Sequence, residues 1–321
     1  MDVAVLAYDG VFDSGLAAIL DVLDGANAMR GELAQPPPAW RVTTHGFRRR
    51  VRTAAGHLVR TAPADTAAAA DLLVVPALAE RRPESLLAHV SGAASAPVRH
   101  LVATARERGT PVASACTGTF LLAESGVLDG RRATTSWWLA PVFRTRYPAV
   151  EVDQTRMVIT SDGVTTAGAA FGHVDLALAV VRRTSPALAD LVARYLVVDE
   201  RPSQSAYTIP GALARSDPLV SAFEGWVRGR LSGPISISAA AHELGVSERT
   251  LQRTVRRTLG TSPVRFVQDL RVEQAAHLLR TTDLSLEAVA RTVGYEHANT
   301  LRVLLRRLTG RTAGALRGPE G

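Results

Sequence analysis

The stretch Ala241-His242-Glu243-Leu244-Gly245-Val246-Ser247 recurs 49 residues later as Ala290-Arg291-Thr292-Val293-Gly294-Tyr295-Glu296, with Ala and Gly in the same places. A small Ala allows one helix to approach another closely, and Gly permits the positive φ of a tight turn between two steeply crossing helices. After one extra residue in the second copy, the register continues through Leu251 with Leu301, Arg256-Arg257 with Arg306-Arg307, Gly260 with Gly310, and Phe266 with Leu316. The repeat predicts two helix-turn-helix units.

The second helix of the first unit is expected to bury one stripe of side chains and expose the opposite one. Leu251, Val255 and Leu259 recur at helical spacing and are predicted to face inward. Ser247 is a good N-cap for this helix. Since Arg pairs with guanine and Gln with adenine in the major groove, the outward stripe is predicted to bind DNA through Arg249, Gln252, Arg253 and Arg256.

The corresponding helix of the second unit is expected to begin at Glu296 or His297. Its predicted inward set is Leu301, Leu305 and Leu308. Its predicted DNA-binding residues are Asn299, Thr300, Arg302 and Arg306. Together the two units form two candidate DNA-reading helices.

Ser262-Pro263 is predicted to open a single helix that joins the two units and runs to Leu279, with Arg271 and Glu273 on its polar side. Such a helix would hold the units at a separation suited to successive major grooves. The alternative is a small helical bundle with solvated arginines. The preserved register of the repeat favours DNA binding over that alternative.

Charge is unevenly distributed along the chain. All 37 basic residues are arginine, and from Leu219 to the end there are 15 Arg against 9 Asp and Glu, compared with 22 against 21 before it. A basic segment on a near-neutral protein is typical of polyanion binding, because phosphate neutralisation with counterion release supplies affinity. A solvated arginine-rich surface is the alternative that charge alone leaves open.

Composition bounds the class of protein. With 321 residues, 46% hydrophobic and 21% charged, the chain is expected to form about two globular domains. No apolar run is long enough for a membrane span and no signal peptide is visible, so a cytoplasmic location without membrane association is expected. The single cysteine, Cys116, excludes an intrachain disulfide and a multi-cysteine zinc site. With scattered histidines and no glycine-rich phosphate loop, no metal and no cofactor are predicted.

The first two hundred residues alternate strand-like and helical patterns, which predicts an α/β domain with a mostly parallel sheet covered by helices. The predicted strands are Val3–Ala7, Trp40–Thr44, Leu72–Pro76 and Pro111–Ala115, with a later hairpin of Met157–Thr160 and Val164–Thr166. The predicted helices are Leu16–Met29, Glu84–Val90, Val98–Arg108 and Val174–Arg183. A polar stretch with prolines then marks the boundary, so the predicted domains are 1–198 and 218–321, joined by a linker at 199–217.

The segment Ala113–Leu122 reads as a strand, a sharp turn at Cys116 and a helix, which is the geometry of a nucleophile elbow. A helix N-terminus behind the thiol is expected to lower its pKa. Taken alone, this motif indicates a cysteine hydrolase.

Two family resemblances rest on these motifs. The segment Pro218–Arg317, with Leu251-Gln252-Arg253 in its first recognition helix, resembles the DNA-binding domain of the AraC/XylS family. Residues 2 to about 195, through the elbow and Gly126–Thr135, resemble the PfpI-like branch of the class I glutamine-amidotransferase superfamily. The union of the two is a regulator architecture called GlxA-like. It implies a flavodoxin-like sandwich that serves effector sensing or dimerisation, followed by an all-α domain with two helix-turn-helix motifs.

Departures from both families bear on function. Thr117 stands where peptidase-like relatives carry a histidine, Ser136 stands where many regulator relatives carry one, and Gly15 takes the place of an acidic residue, which leaves His173 as the nearby candidate base. In the second DNA-reading helix, Val303 is an apolar residue on the outward stripe, Leu301 and Leu305 replace the usual aromatic residues, and Ala313 replaces a proline.

Three interpretations of Cys116 stay open: a structural remnant, part of a ligand pocket, or a nucleophile or redox sensor. A ligand pocket would be formed by Cys116, Thr117, Asp13 and Trp137, although the Trp137-Trp138 pair also suits core or interface packing. No catalytic residue is assigned.

Two functions are compared. The first is a transcriptional regulator that binds double-stranded operator DNA, responds to a small-molecule effector and forms a homodimer. The second is a cysteine-dependent amidase or hydrolase with an accessory nucleic-acid-binding domain. The missing base beside Cys116, set against the intact stripe of Arg249, Gln252 and Arg253, favours the regulator.

Overall fold

The computed structural model of the chain describes residues 1–199, 201, 203–215 and 217–317. The chain divides into two compact units, Met1–Gln204 and Ser205–Gly321. Positions 200, 202 and 216 of the predicted linker and 318–321 of the predicted DNA-binding domain lie outside the described residues. The other residues of the predicted linker belong to the first unit up to Gln204 and to the second unit from Ser205 onward.

The strands of the first unit are β1 Asp2–Leu6, β2 Arg41–Gly46, β3 Arg50–Arg52, β4 Leu58–Arg60, β5 Ala62–Pro63, β6 Leu72–Val75, β7 Val112–Ala115, β8 Arg132–Ala133, β9 Glu151–Val152, β10 Val158–Ser161 and β11 Val164–Ala167. Its main sheet has the order β10-β11-β7-β6-β1-β2-β5. All pairings in this sheet are parallel except the β10–β11 hairpin. The predicted parallel sheet and its hairpin are confirmed.

The central strands are apolar along nearly their whole length because both faces of the sheet are covered. Every residue of β6, β7 and β11 is buried, as are the last four residues of β1. Parallel strands buried on both sides are typically continuous hydrophobic runs. The hairpin turns at Asp162 and Gly163, which both have positive φ, as a tight two-residue turn requires.

The helices of the first unit are α1 Asp13–Met29, α2 Pro83–Ser91, α3 Ala96–Glu107, α4 Gly118–Glu124, α5 Ala140–Arg146, α6 Gly172–Thr184 and α7 Pro186–Tyr195. Helices α1, α6 and α7 pack against one another, and α2 and α3 both pack against α4. The result is the flavodoxin-like α/β sandwich that the family resemblance implied. The short hairpin of β3 and β4 and the helix α7 were not predicted.

The second unit is helical throughout its described residues, as predicted. Its helices are α8 Pro210–Ala214, α9 Pro218–Arg228, α10 Ile237–Glu243, α11 Glu248–Leu259, α12 Pro263–Thr281, α13 Leu286–Thr292, α14 Ala298–Thr309 and α15 Ala313–Arg317. The pairs α10–α11 and α13–α14 are the two helix-turn-helix units. Helix α12 joins them and packs against both α11 and α14.

Both repeated glycines have the positive φ that the sequence predicted. Gly245 has φ +69 and Gly294 has φ +80, so both turns use the left-handed region that favours glycine. Ser247 caps α11, because its hydroxyl accepts a hydrogen bond from the Thr250 backbone N–H. Helix α14 begins after His297, whose side chain makes no cap hydrogen bond.

The polar side of α12 makes contacts with other segments. Arg271 and Glu273, which the sequence placed on this side, are half-buried. Arg271 Nη2 donates to the Gly233 carbonyl at 2.5 Å, and its guanidinium lies 5.3 Å from the centroid of the Tyr295 ring. Arg228 Nη2 donates to Glu273 Oε2 at 2.7 Å. Both side chains therefore connect α12 to neighbouring segments, a tertiary role that helical periodicity does not show.

The two turn glycines differ in their surroundings and provide a matched pair for mutation. A Cβ at Gly294 would lie 2.4 Å from the Leu231 carbonyl oxygen, whereas one at Gly245 would meet no atom within 4 Å. Gly245→Ala is expected to cost only the strain of a positive φ, about 1–2 kcal/mol. Gly294→Ala is expected to cost clearly more, because a backbone carbonyl must also move. Urea unfolding of the two full-length variants checks this, and equal losses would contradict it.

Candidate nucleic-acid interface and cysteine elbow

Helix α11 exposes the predicted DNA-binding stripe and buries the opposite face. Arg249, Gln252, Arg253 and Arg256 are all exposed, whereas Leu251, Val255 and Leu259 are at most 1% exposed. Gln252 Nε2 donates to Glu248 Oε1 at 2.8 Å, an exposed contact that a base edge can replace. The helix therefore presents its polar stripe to solvent.

Helix α14 repeats this arrangement. Asn299, Thr300, Arg302 and Arg306 are exposed, and the predicted inward leucines are buried together with Leu304. Arg302 Nη1 donates to Asn299 Oδ1 at 3.3 Å. Val303, on the same outward side, is 58% exposed.

The connecting helix α12 packs against both α11 and α14. Its 19 residues correspond to a length of about 28 Å at 1.5 Å per residue. Successive major grooves on one face of B-DNA are about 34 Å apart. A helix of this length suits two reading helices in neighbouring grooves.

The arginines of the two stripes differ from some other arginines of the second unit in having no acidic partner. Several arginines elsewhere form ion pairs with acidic side chains: Arg228 with Glu224 and Glu273, Arg230 with Glu243, Arg257 with Asp217, and Arg265 with Asp269. Within the part of the chain that the structure describes, no ion pair involves Arg249, Arg253, Arg256, Arg302 or Arg306. The positive charge of both stripes is therefore not neutralised by a carboxylate of the described residues.

In the first unit, the strand–turn–helix at Cys116 has the predicted elbow geometry. Strand β7 ends at Ala115, Cys116 has φ +57, and α4 begins at Gly118. A Cβ at Gly118 would lie 2.6 Å from the Pro76 carbonyl oxygen, so the helix start is pressed against the chain beyond β6. The left-handed conformation of Cys116 stores backbone strain of the kind that clusters at functional sites.

The pKa of the Cys116 thiol is raised, whereas the sequence analysis predicted that it is lowered. Cys116 is 5% exposed, and burial raises its pKa although Ser136 Oγ donates a hydrogen bond to Sγ at 2.9 Å and Thr117 also stabilises the thiolate. The expected lowering by the helix N-terminus is wrong, because α4 is short and the loss of hydration outweighs its effect.

His173, the candidate base, is fully buried and engaged through both ring nitrogens. Nδ1 lies 2.7 Å from the Ala170 carbonyl oxygen, to which it donates, and Nε2 accepts from the Ala77 backbone N–H at 3.1 Å. Burial lowers the pKa of His173 to about 4, a shift that the bond to Ala170 opposes. The imidazole is therefore neutral at pH 7, and its hydrogen bonds are those of a structural histidine.

The same imidazole occupies the space next to Gly15. A Cβ at Gly15 would lie 2.7 Å from both Nε2 and Cε1 of His173. An acidic side chain at position 15, as in the related enzymes that the sequence resembles, would therefore collide with the ring. The geometry accounts for glycine at this position.

The other residues of the predicted pocket make separate contacts. Thr117 Oγ1 donates to the Leu78 carbonyl at 2.6 Å. Asp13 accepts from the Ala55 backbone N–H at 2.8 Å and lies 2.9 Å from His57 Nδ1. Burial raises the pKa of Asp13, but hydrogen bonds from Thr53, His57 and Ala55 outweigh it and lower the pKa to about 2. Asp13 thus holds the loop between β3 and β4.

Gln204 is the residue that sequence reasoning missed. It is fully buried, and its Nε2 donates to Thr134 Oγ1 at 3.1 Å and to the Thr135 carbonyl at 2.9 Å. Its Oε1 accepts from the Trp137 backbone N–H at 3.1 Å. The last residue of the first unit is therefore bonded on both sides of Ser136, the hydrogen-bond partner of Cys116. No local sequence signal marks it, because its partners lie about seventy residues earlier.

A pocket of about 210 Å³ is lined by Arg156, Val158, Asp175, Leu178, Ala179, Arg182, Ala193 and Arg201. The Arg156 carbonyl also accepts a hydrogen bond from Gln204 Nε2 at 3.2 Å. The described residues contain no group of three or more His, Cys, Asp and Glu side chains suited to a metal ion. Among those same residues, no helix is long and apolar enough to cross a membrane.

The fold and the elbow define an α/β domain of the DJ-1/PfpI type, followed by a duplicated helix-turn-helix domain. Residues 1–183 match the model of the DJ-1/PfpI family, and the chain belongs to that family. Residues 240–318 match the model of a helix-turn-helix domain. The combination is a DJ-1/PfpI domain with an AraC-type helix-turn-helix domain after it.

The chain matches about half to two thirds of the length of the curated relatives it resembles. The chain is 33% identical over 185 residues to the HTH-type transcriptional regulator CdhR of Pseudomonas aeruginosa, covering 56% of this chain and 54% of CdhR. It is 25% identical over 217 residues to the HTH-type transcriptional regulator GlxA of Rhizobium meliloti, covering 66% of this chain and 67% of GlxA. The crystal structure of an AraC family transcriptional regulator from Pseudomonas putida covers 61% of this chain and 98% of its own, with 20% identity and a TM-score of 0.49.

The buried His173 predicts a pH dependence of stability. Its folded pKa of about 4 lies below the ordinary value of 6.5, so the unfolded chain takes up the proton first as the pH falls. The stabilisation is present above pH 6.5 and is lost towards pH 4, up to about 3 kcal/mol. His173→Gln can keep both hydrogen bonds without titrating. Urea unfolding at a series of pH values should show that the free energy of unfolding falls more steeply with decreasing pH in the parent protein than in His173→Gln. Parallel pH dependence of the two proteins would contradict the lowered pKa of His173.

Because Cys116 is the sole cysteine, its titration can be followed directly. The pH midpoint for alkylation by iodoacetamide is expected to be higher in the native protein than in the urea-unfolded chain. Ser136→Ala removes the hydrogen bond that stabilises the thiolate, so the midpoint is expected to rise further. A native midpoint at or below that of the unfolded chain would show an activated nucleophile instead.

Proposed function

We propose that the protein is a sequence-specific DNA-binding transcriptional regulator whose second unit reads two successive major grooves. The observation that carries this proposal is the pair of exposed, uncompensated basic stripes on α11 and α14. They occupy equivalent positions of two repeated units and are joined by one helix. A bundle with merely solvated arginines has no need to expose a polar, arginine-bearing stripe at the same place in both units.

The side chains of the two stripes suit base recognition. Arg253 and Arg302 can pair with O6 and N7 of guanine, and Gln252 and Asn299 with N6 and N7 of adenine. Arg249, Arg256 and Arg306 are placed to contact either bases or flanking phosphates. Phosphate contacts supply salt-dependent affinity, and base contacts supply specificity.

We propose that the first unit binds a small-molecule effector and mediates homodimerisation. Two-fold assembly of the first unit would present paired copies of the second unit to an operator. Effector control requires that the ligand bind two states of the protein with different affinity. Gln204 offers a route for such coupling, since it holds the segment that carries Ser136 and directly precedes the second unit.

We propose that Cys116 has no catalytic role. Three observations support this: the thiol is buried with a raised pKa, its side-chain partner is the hydroxyl of Ser136, and both nitrogens of His173 are engaged elsewhere. A cysteine-dependent hydrolase needs an accessible thiolate and a positioned base.

Selection of bound sites from a random duplex library, with purified full-length protein, tests the regulator proposal. An enriched motif spanning two adjacent major grooves is expected. Arg253→Ala should weaken binding to that motif by about 1–3 kcal/mol and relax the preference at one position, because a bidentate base contact is lost.

Arg280→Ala, which removes an exposed arginine of α12 outside both stripes, is the matched control. It should alter affinity for the motif and for unrelated DNA by the same small factor. Salt-sensitive binding with no motif would refute sequence-specific regulation, and an unchanged ratio of specific to nonspecific affinity for Arg253→Ala would refute that contact.

A further inference from the structure

Val303 is the apolar exception on an otherwise polar stripe. The repeat aligns Arg249, Gln252, Arg253 and Arg256 of α11 with Asn299, Arg302, Val303 and Arg306 of α14, so that Val303 takes the place of Arg253. Its neighbour Leu304 is 6% exposed, whereas Val303 is 58% exposed. The valine thus belongs to the outward stripe and not to the core.

Helical spacing places Val303 at the centre of this stripe. Asn299 lies four residues before it and Arg306 three residues after it, and residues at these spacings are neighbours on one helix face. Arg302 is adjacent in sequence and exposed as well. A ligand that contacts the polar side chains of α14 must therefore also cover the methyl groups of Val303.

The major groove offers one apolar group to such a side chain, the C5 methyl group of thymine. A valine can make neither of the bidentate hydrogen bonds that Arg and Gln make with purines, but covering its methyl groups with another methyl removes apolar surface from water. Given the regulator function proposed above, we infer that Val303 recognises the C5 methyl of a thymine. This thymine lies in the second half-site, the part of the DNA site that α14 contacts. Its position is equivalent to the one that Arg253 contacts in the first half-site, the part that α11 contacts.

This assignment makes the two half-sites unlike each other. Arg253 favours guanine at its position, whereas Val303 favours a methylated pyrimidine. A protein with two unlike reading helices has a single orientation on its site. The two helix-turn-helix units share a backbone structure, but the difference between Arg253 and Val303 lets the protein distinguish the two ends of the operator.

Replacement of thymine by deoxyuridine tests the inference, because it removes the C5 methyl and leaves base pairing unchanged. Each thymine of the selected motif is replaced in turn, and the dissociation constant is measured by fluorescence anisotropy. One position in the second half-site is expected to lose about fourfold in affinity, which corresponds to about 0.8 kcal/mol for one buried methyl-sized group. Thymines of the first half-site serve as the matched controls.

Variants at Val303 link the effect to this residue. Val303→Ala should bind the thymine site more weakly and be insensitive to deoxyuridine at that position, so the two changes are non-additive. Val303→Arg restores the residue of the first unit and should shift the selected base towards guanine. Circular dichroism confirms the folding of both variants.

Equal affinity of the parent protein for thymine and deoxyuridine at every position would overturn the role of Val303, while the selected motif would still establish the regulator. Failure to select any motif would instead overturn the proposed function itself. Loss of self-association in Val303→Ala, with methyl sensitivity unchanged, would assign the valine to a protein contact and also overturn the inference.

Discussion

Burial of Leu251 in α11 and of Leu301 in α14 is the constraint on which the exposed stripes of both helices depend. A helix that buries one stripe against α12 has no freedom to rotate, so its opposite stripe is fixed in solvent. The left-handed turns at Gly245 and Gly294 set the angle at which each reading helix leaves its partner. Packing and turn geometry thus determine which side chains each of the two helices exposes.

Ion pairing of the arginines then determines how charge is distributed over this surface. Acidic side chains neutralise arginines that support the fold, such as Arg228 and Arg257, and none of the described ion pairs involves the arginines of the two stripes. Exposed ion pairs contribute little to stability, so their main effect here is on the distribution of charge. The stripes of α11 and α14 therefore keep their positive charge, while part of the charge of the remaining arginines is neutralised.

The first unit preserves the shape of a catalytic elbow but not its chemistry. The backbone turn at Cys116 and the close approach at Gly118 are retained, because they are part of how β7 and α4 pack. The thiol, however, is desolvated and hydrogen-bonded to a hydroxyl, and an imidazole fills the space beside Gly15. Backbone geometry and reactivity are separable, since the first depends on steric fit and the second on solvation and a nearby base.

Local pattern therefore predicted the repeat, the glycine turns, the buried leucines and the elbow, because each depends on residues a few positions apart. The pKa of Cys116 was predicted in the wrong direction, since burial is decided by elements distant in sequence. Gln204 was missed for the same reason: its partners are Thr134, Thr135 and Trp137. Those long-range hydrogen bonds join the elbow to the end of the first unit, so the features that could couple the two units are the ones that periodicity and spacing do not reveal.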